Sequence, residues 1–380
     1  MRKLKLRADV QHQGNDTVIT VFLIGDGIPV EVQNGGVYIR LRNYTNYSKR
    51  SLYDGLLFLF IFVAMANYDV FEIDGPISKT ALRNARVFQE AWHCLLPNMY
   101  NVAEIVPRNI ASDFVLNARK KDRAISAFSG GLDATFLAVR HTQRHSWAYP
   151  LRSCVMVHGF DVWHENDDAF ERLVDRVSPF LSDTGLTCFQ VKTNIRKFEL
   201  QGWEHSFSSQ LAGILHLYYK SHSTALIGSS EPYNNLVFPW GSTPATDYLL
   251  SGSGMAIVHE GAGYSRTEKA KVVASHALGR ETLKVCWQGT DQAANCGDCE
   301  KCVRTRLNFK AVGLDDVPCF TTPFDATMID NISLRNIAQL TELRTILVYC
   351  RTQGLNHSWV GQLERKILEE QKKISPEEVK

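Results

Sequence analysis

The motif Ser129-Gly130-Gly131-Leu132-Asp133-Ala134-Thr135 lies between two apolar runs and gives the clearest indication of the fold class. It follows the largely apolar run Ala124–Phe128 and precedes a second apolar run, Phe136–Val139. The first run predicts a buried parallel strand, and the second, which lacks turn residues, predicts a helix. Two adjacent glycines let the backbone approach a ligand, and the unpaired N–H groups at a helix start favour an anion. The stretch therefore predicts a strand, an anion-binding loop and a helix.

The spacing of the loop separates it from two common phosphate loops. Neither the Walker pattern Gly-x-x-x-x-Gly-Lys-Ser/Thr nor the dinucleotide pattern Gly-x-Gly-x-x-Gly fits it. The loop resembles Ser-Gly-Gly-x-Asp-Ser, the pyrophosphate loop of the PP-loop ATP pyrophosphatase superfamily, whose members cleave ATP to AMP and pyrophosphate. Ala134 stands where that motif usually ends in serine, so one phosphate-binding hydroxyl is missing unless Thr135 supplies it. An ordinary strand-to-helix turn rich in small residues is the alternative.

Composition predicts a globular protein with a proper core. The 380 residues are 44% hydrophobic and 22% charged, and the formal net charge is only +2, without a basic tail or charge block, so a nucleic-acid partner is not indicated. The longest apolar run, Gly55–Ala66, is shorter than the ~20 residues of a spanning helix and predicts a buried helix. Because no apolar core follows the basic residues Met1–Arg7, we expect no signal peptide and a cytoplasmic location.

Pattern changes divide the chain into three predicted domains. Short alternating stretches and two helical stretches predict an N-terminal α+β domain of unknown role, with its own small sheet, over residues 1–115. Strands then alternate with helices, which is typical of a doubly wound parallel sheet, over residues 116–318. Residues 319–380 are predicted to form a C-terminal helical extension.

Polar residues at the predicted strand ends form a candidate crevice. Ligands of open parallel sheets bind outside the carboxyl ends of the strands, which here are residues 129–135, 158–161, 193–196 and 228–231. In PP-loop enzymes the equivalent strand ends hold adenine and ribose, which implies such roles for Asp161 and Gly228. Each of these residues also fits an ordinary capped loop or turn. The stretch 232–263, dense in Gly, Ser, Pro and Asn, is interpreted as a long substrate-binding loop.

A capping box is predicted at Ser265 and Glu268. It would place Arg266 and Lys269 in the first turn of a helix, where cations interact unfavourably with the dipole. This position indicates that both face a phosphate or a carboxylate. The alternative is a solvated helix face.

Cysteines form the second strong motif. The spacing of Cys286, Cys296, Cys299 and Cys302 supplies the four thiolates of a closed, structural zinc site. An iron-sulfur cluster is the main alternative, although the further cysteine and proline of ferredoxins do not follow. The five other cysteines are scattered among apolar residues and are predicted to lie in the core.

The two motifs together resemble the 7-cyano-7-deazaguanine synthase (QueC) family over about residues 122–314. Members combine the PP-loop fold with a four-cysteine zinc site, and they use ATP and ammonia to convert 7-carboxy-7-deazaguanine to an amide and then a nitrile. The extra N- and C-terminal regions indicate an enlarged paralogue. Such proteins occur in bacterial anti-phage operons, which implies a protein amine as an acceptor in place of ammonia.

The resemblance implies a set of site residues and cofactors. ATP, Mg²⁺ held by Asp133 and Zn²⁺ are the expected cofactors, and a small carboxylate is the expected substrate. An operon partner and a homodimer are left open, and no membrane partner is expected. The expected catalytic residues are Ser129, Asp133, Arg266 and Lys269. The expected nucleotide-binding residues are Ser129, Gly130, Gly131, Leu132, Asp133, Ala134, Thr135, Asp161 and Gly228.

Three other functions stay open. A tRNA-modifying thiolase of the same superfamily would require a catalytic cysteine near the crevice and a basic surface. An amidotransferase resembling asparagine synthetase is disfavoured because Met1 is not followed by a cysteine nucleophile. A non-catalytic nucleotide-binding scaffold is favoured by Ala134.

Overall fold

One ten-stranded sheet runs through the part of the chain that the computed structural model describes, residues 1–113, 123–143 and 145–374. The strands follow one another in space in the order β10-β9-β6-β7-β8-β3-β2-β1-β4-β5. Their bounds are β1 Lys3–Gln13, β2 Asp16–Ile24, β3 Val37–Leu41, β4 Val70–Ser78, β5 Glu104–Ala111, β6 Ala124–Ala127, β7 Leu151–His158, β8 Thr187–Thr193, β9 Thr224–Gly228 and β10 Ala256–Glu260.

Neighbouring strands are mostly parallel. The exceptions are the pairs β1–β2, β2–β3 and β3–β8, which are antiparallel. Helices cover the sheet, with the bounds α1 Val30–Asn34, α2 Lys49–Asn67, α3 Lys79–Leu95, α4 Leu132–Thr142, α5 Asp167–Asp183, α6 Trp203–His216, α7 Arg266–Ala274, α8 Ala277–Glu281, α9 Glu300–Ala311, α10 Thr327–Asp330, α11 Ile337–Thr352 and α12 Ser358–Gln371. The predicted α/β class is therefore confirmed.

Side chains of the parallel strands alternate between two cores, as the two-residue period of a strand requires. Ile125 and Val155 pack in the core that contains α2 and α6. Their neighbours Ala124 and Cys154 pack in the core that contains α4 and α5. Helices therefore bury both faces of this part of the sheet, which explains its continuous apolar sequence.

The apolar run Gly55–Ala66 lies within α2 and is buried, as predicted. The helix packs closely on α6 where two glycines meet. A Cβ atom on Gly55 would lie 2.6 Å from the Gly213 carbonyl oxygen, so a larger residue would separate the helices. Among the described helices, none combines the length and hydrophobicity needed to cross a membrane.

The N-terminal strands do not form the separate small sheet that the sequence predicts. Strand β3 pairs with β8 through Ile39 and Thr193, and this pairing joins β1–β5 to the parallel strands in one sheet. A single apolar core extends from Leu4 to Ile257. The domain boundary at residue 115 falls among residues 114–122, outside the described residues, and stays a prediction.

The prediction of a long loop over 232–263 was wrong for its last part. Strand β10 forms there and pairs in parallel with β9. It is a five-residue edge strand. Its apolar stretch is too short to stand out as a strand pattern among the surrounding Gly and Ser residues. The predicted capping box is confirmed, because Ser265 and Glu268 form it at α7, and Ser78 caps α3.

Candidate functional site

The glycine loop lies at the carboxyl end of β6 and begins α4. Gly131 is the N-cap residue, and its N–H donates to Ser129 Oγ at 3.3 Å. Gly130 has a φ of +76°, a backbone conformation that residues other than glycine rarely adopt. The Gly130 carbonyl accepts a hydrogen bond from the Lys284 N–H at 2.9 Å, which fixes the loop against the segment before the cysteine cluster.

Three adjoining cavities open around this loop. The loop cavity, about 70 Å³, is lined by the glycine loop and by α9 residues. The inner cavity, about 230 Å³, lies beside the carboxyl ends of β6, β7 and β9, and most of its wall is apolar. The outer chamber, about 580 Å³, is lined by charged side chains and by Trp163, Trp203, Trp240 and Trp287. Together they form a continuous crevice at the strand ends.

Asp133 lies in the crevice with both carboxylate oxygens paired. Arg266 Nη2 donates to Oδ2 at 2.8 Å, and Lys269 Nζ donates to Oδ1 at 3.0 Å. Burial alone would raise the pKa of Asp133, but the two cations lower it to about 2. Lys269 also donates to the Ser229 carbonyl. Both predicted cations thus face a carboxylate beside the loop.

The ion pairs continue from the loop to the C-terminal helices. Arg266 also pairs with Glu342 of α11, and Arg304 of α9 pairs with the same glutamate. Arg304 Nε lies 2.7 Å from Glu300 Oε1. This chain of charges joins the loop to α7, α9 and α11. The sequence patterns did not single out Glu342, because its role depends on a contact across more than 70 residues.

Glu231 is a buried carboxyl in the wall of the outer chamber, with 3% of its surface exposed. Burial and the nearby charge of Glu342 raise its pKa to about 8. The side chain is therefore mostly protonated at neutral pH, and it presents a proton donor to the chamber.

Replacing Glu231 with glutamine is expected to alter the pH dependence of stability. In wild type, Glu231 has a higher pKa in the folded state than in the unfolded state, so protonation of this carboxyl stabilises the fold. The stabilisation is complete below about pH 4.5 and is lost as the pH rises through about 8. Between these values the free energy of unfolding of wild type should fall relative to Glu231→Gln by about 1.4 kcal/mol per pH unit. Urea unfolding at several pH values measures the difference, with the exposed Glu204→Gln as control. Parallel curves for wild type and Glu231→Gln would contradict this expectation.

The four cysteines converge on one point. Their Sγ atoms all lie within 4.8 Å of one another, with Cys286 and Cys296 at 3.4 Å and Cys296 and Cys302 at 3.8 Å. Zn–S bonds of about 2.3 Å in a tetrahedron place sulfur atoms about 3.8 Å apart. The Gly289 N–H donates to Cys286 Sγ at 3.2 Å. This four-cysteine cluster could hold a metal such as zinc.

The four-cysteine cluster is connected to the glycine loop on both of its sides. On one side, the segment that ends at Cys286 contains Lys284, which binds Gly130. The Asn295 side chain holds this segment by accepting hydrogen bonds from the N–H groups of Val285 and Cys286. On the other side, Cys299 is the N-cap of α9, and that helix lines the loop cavity with Lys301 and other side chains. A metal in the four-cysteine cluster would therefore fix the positions of both the segment that binds Gly130 and helix α9.

The predicted nucleotide-binding residues divide into two groups. The loop or inner cavity is lined by Ser129, Gly131, Leu132, Asp133, Ala134, Asp161 and Gly228. Gly130 and Thr135 do not line any of the three cavities. Thr135 is buried, and its methyl group faces Gly279, so it does not supply the hydroxyl that Ala134 lacks.

Most of the predicted substrate loop is packed rather than open. Asp247 is fully buried, and its carboxylate binds Ser242 Oγ at 2.6 Å and His259 Nδ1 at 2.8 Å. Trp240 does line the outer chamber. Sequence patterns missed Lys301, which lies inside the cysteine motif, and Glu342, which lies in no recognised motif.

None of the described cysteines lines the three cavities. This arrangement does not favour the thiolase alternative, which requires a catalytic cysteine near the crevice. Comparison of the chain with models of known protein families, with curated proteins and with solved structures gave no match.

Proposed function

We propose that this protein is an ATP-dependent ligase similar to the QueC family, which transfers adenylate to a small aromatic carboxylate and releases pyrophosphate. The proposed substrate is 7-carboxy-7-deazaguanine or a related acid. An amine then displaces AMP to form an amide, with ammonia or an amine acceptor of another molecule as the nucleophile. The observation that carries the proposal is the glycine loop at the start of α4, which opens into a crevice at the strand ends.

The loop cavity suits the phosphates of ATP. The N–H groups at the start of α4 have no partner within the helix, and they favour an anion. Ser129 adds a hydroxyl at the rim. These groups would stabilise the charge that develops on the leaving pyrophosphate.

The inner cavity and the outer chamber suit two aromatic groups. Apolar side chains such as Val155, Phe160 and Ile227 form the inner wall, where an adenine ring would be shielded from water. Four tryptophans and several charged groups surround the outer chamber, where a planar carboxylic acid would stack. The carboxylate would then meet the α-phosphate where the cavities join.

Mg²⁺ fits Asp133 poorly, although the sequence resemblance implied that role. Both oxygens of this carboxylate are paired with Arg266 and Lys269, so a direct magnesium contact would compete with at least one of these ion pairs. We instead assign Asp133 the role of holding these two cations at the loop. Zinc fits the four-cysteine cluster, where closed thiolate coordination would stabilise the fold and would not activate water. Metal analysis should give one zinc ion per chain. Iron in its place would indicate an iron-sulfur cluster.

Pyrophosphate release tests the proposal. The zinc-loaded protein is incubated with ATP, Mg²⁺, ammonia and 7-carboxy-7-deazaguanine, and pyrophosphate and AMP are measured. We expect equal amounts of both products, which depend on the carboxylate, and none from a Ser129→Ala, Asp133→Ala double variant. Absence of pyrophosphate with wild type, or equal release by the double variant, would contradict the proposal.

A non-catalytic nucleotide-binding scaffold is the second candidate, because Ala134 lacks a hydroxyl where it faces the loop cavity. Replacing Ala134 with serine is expected to tighten ATP binding about tenfold or more, since one hydrogen bond to a charged group contributes about 1.5 kcal/mol or more. Calorimetric titration measures the dissociation constant, and Ala134→Val, which adds bulk without a donor, should weaken binding. Equal affinities of wild type and the serine variant would show that the side chain of residue 134 does not contact phosphate.

A further inference from the structure

Only two residues of the described chain line all three cavities, Arg266 and Lys301. They therefore lie where the loop cavity, the inner cavity and the outer chamber meet. In the proposed reaction, the triphosphate, the adenosine and the carboxylate also meet at one atom, the α-phosphorus. The cation at this junction is the one that the transferring phosphoryl group would contact.

Arg266 is already neutralised by Asp133 and Glu342. The neighbouring cations are similarly engaged, since Lys269 pairs with Asp133, and Arg304 pairs with Glu300 and Glu342. No carboxylate of the described residues forms an ion pair with Lys301. Its charge is therefore available to an anionic ligand at the junction.

The position of Lys301 in the fold is also unusual for a lysine. It lies in the first turn of α9, where the helix dipole disfavours a cation, and an anion beside it would offset that cost. It lies between Cys299 and Cys302, two members of the four-cysteine cluster, so the backbone that carries it is anchored.

We propose that Lys301 is a catalytic residue, whose ammonium group contacts the non-bridging oxygens of the α-phosphate during adenylyl transfer. The inference rests on the proposed function. In the step, a carboxylate oxygen forms a bond to the α-phosphorus while the bond from that phosphorus to the bridging oxygen of pyrophosphate breaks. Pyrophosphate leaves with the electron pair, no proton is transferred and nothing is oxidised. Lys301 stabilises the charge on the α-phosphoryl oxygens in the transition state.

Lys301→Ala tests this role when kcat and KM are measured separately. With ATP, Mg²⁺, ammonia and 7-carboxy-7-deazaguanine, we expect kcat for pyrophosphate release to fall about 100-fold or more, while the KM for ATP changes less than about tenfold. Lys301→Arg should restore part of kcat because it retains the charge. Lys271→Ala, at an exposed lysine of α7, is the control and should behave as wild type.

Zinc content and thermal unfolding of each variant separate catalysis from damage to the four-cysteine cluster. If the alanine variant loses zinc, Lys301→Gln, which keeps most of the side-chain length, is measured against the same criteria. A zinc-loaded variant with kcat within about threefold of wild type, or with an effect on KM alone, would overturn the inference and leave the proposed function intact. A wild-type protein that releases no pyrophosphate would overturn both.

Discussion

Replacing Cys302 with serine is expected to remove the bound metal and to abolish ATP binding with it. Structural zinc contributes on the order of 10 kcal/mol to the folding of small zinc domains, so losing a ligand should lower the unfolding temperature by about 10 °C or more. ATP binding should be lost because Cys299 caps α9, which lines the loop cavity, and because the segment before the four-cysteine cluster binds Gly130.

Metal analysis, thermal unfolding and calorimetric titration with ATP measure the three effects in one set of samples. Cys94→Ser is the matched control, since this cysteine lies outside the four-cysteine cluster and is exposed, so the prediction that it lies in the core was wrong. It should retain metal, stability and ATP affinity. A Cys302→Ser protein that loses metal and binds ATP as wild type does would show that the cluster does not support the crevice.

Replacing Asp133 with asparagine is expected to destabilise the fold by about 3–5 kcal/mol, because it leaves two cations without their shared carboxylate. The side chain of Lys269 is only 1% exposed, so water cannot compensate. The lowered pKa adds a pH test with a defined sign. The stabilisation from ionised Asp133 is present above its ordinary pKa of 3.8 and is lost as the pH falls through about 2.

Urea unfolding at pH 7 measures the loss of stability. Glu90→Gln is the matched control, because it breaks an exposed ion pair with Arg86 and should leave the midpoint almost unchanged. Between pH 4 and pH 2, wild type should lose stability relative to Asp133→Asn. An asparagine variant with the wild-type midpoint at pH 7 would contradict the structural role of this carboxylate.

Local sequence patterns predicted the features that neighbouring residues determine. The glycine loop, the Ser265 capping box and the four-cysteine cluster each lie within a short stretch, where spacing alone fixes the geometry. The buried helix Gly55–Ala66 is a further example, since a long apolar run without charges has to be buried.

Features that depend on tertiary contacts could not be predicted in this way. Glu342 reaches the loop only because α11 packs beside α7 and α9, and nothing in its own surroundings distinguishes it from a solvated glutamate. Thr135 looked like a substitute for the missing hydroxyl, yet the helix turns its side chain toward Gly279. The joining of the N-terminal strands to the main sheet depends on the β3–β8 pairing, which links residues about 150 positions apart.

In the proposed reaction, the carboxylate of the substrate attacks the α-phosphorus of ATP. Transfer of ¹⁸O from a labelled carboxylate to AMP would reveal this step, because the oxygen that attacks phosphorus stays with AMP when an amine displaces AMP from the carbonyl carbon. With ¹⁸O-labelled 7-carboxy-7-deazaguanine, unlabelled ATP and ammonia, we expect AMP that carries one labelled oxygen from the carboxylate. Unlabelled AMP, or ADP in place of AMP, would contradict it.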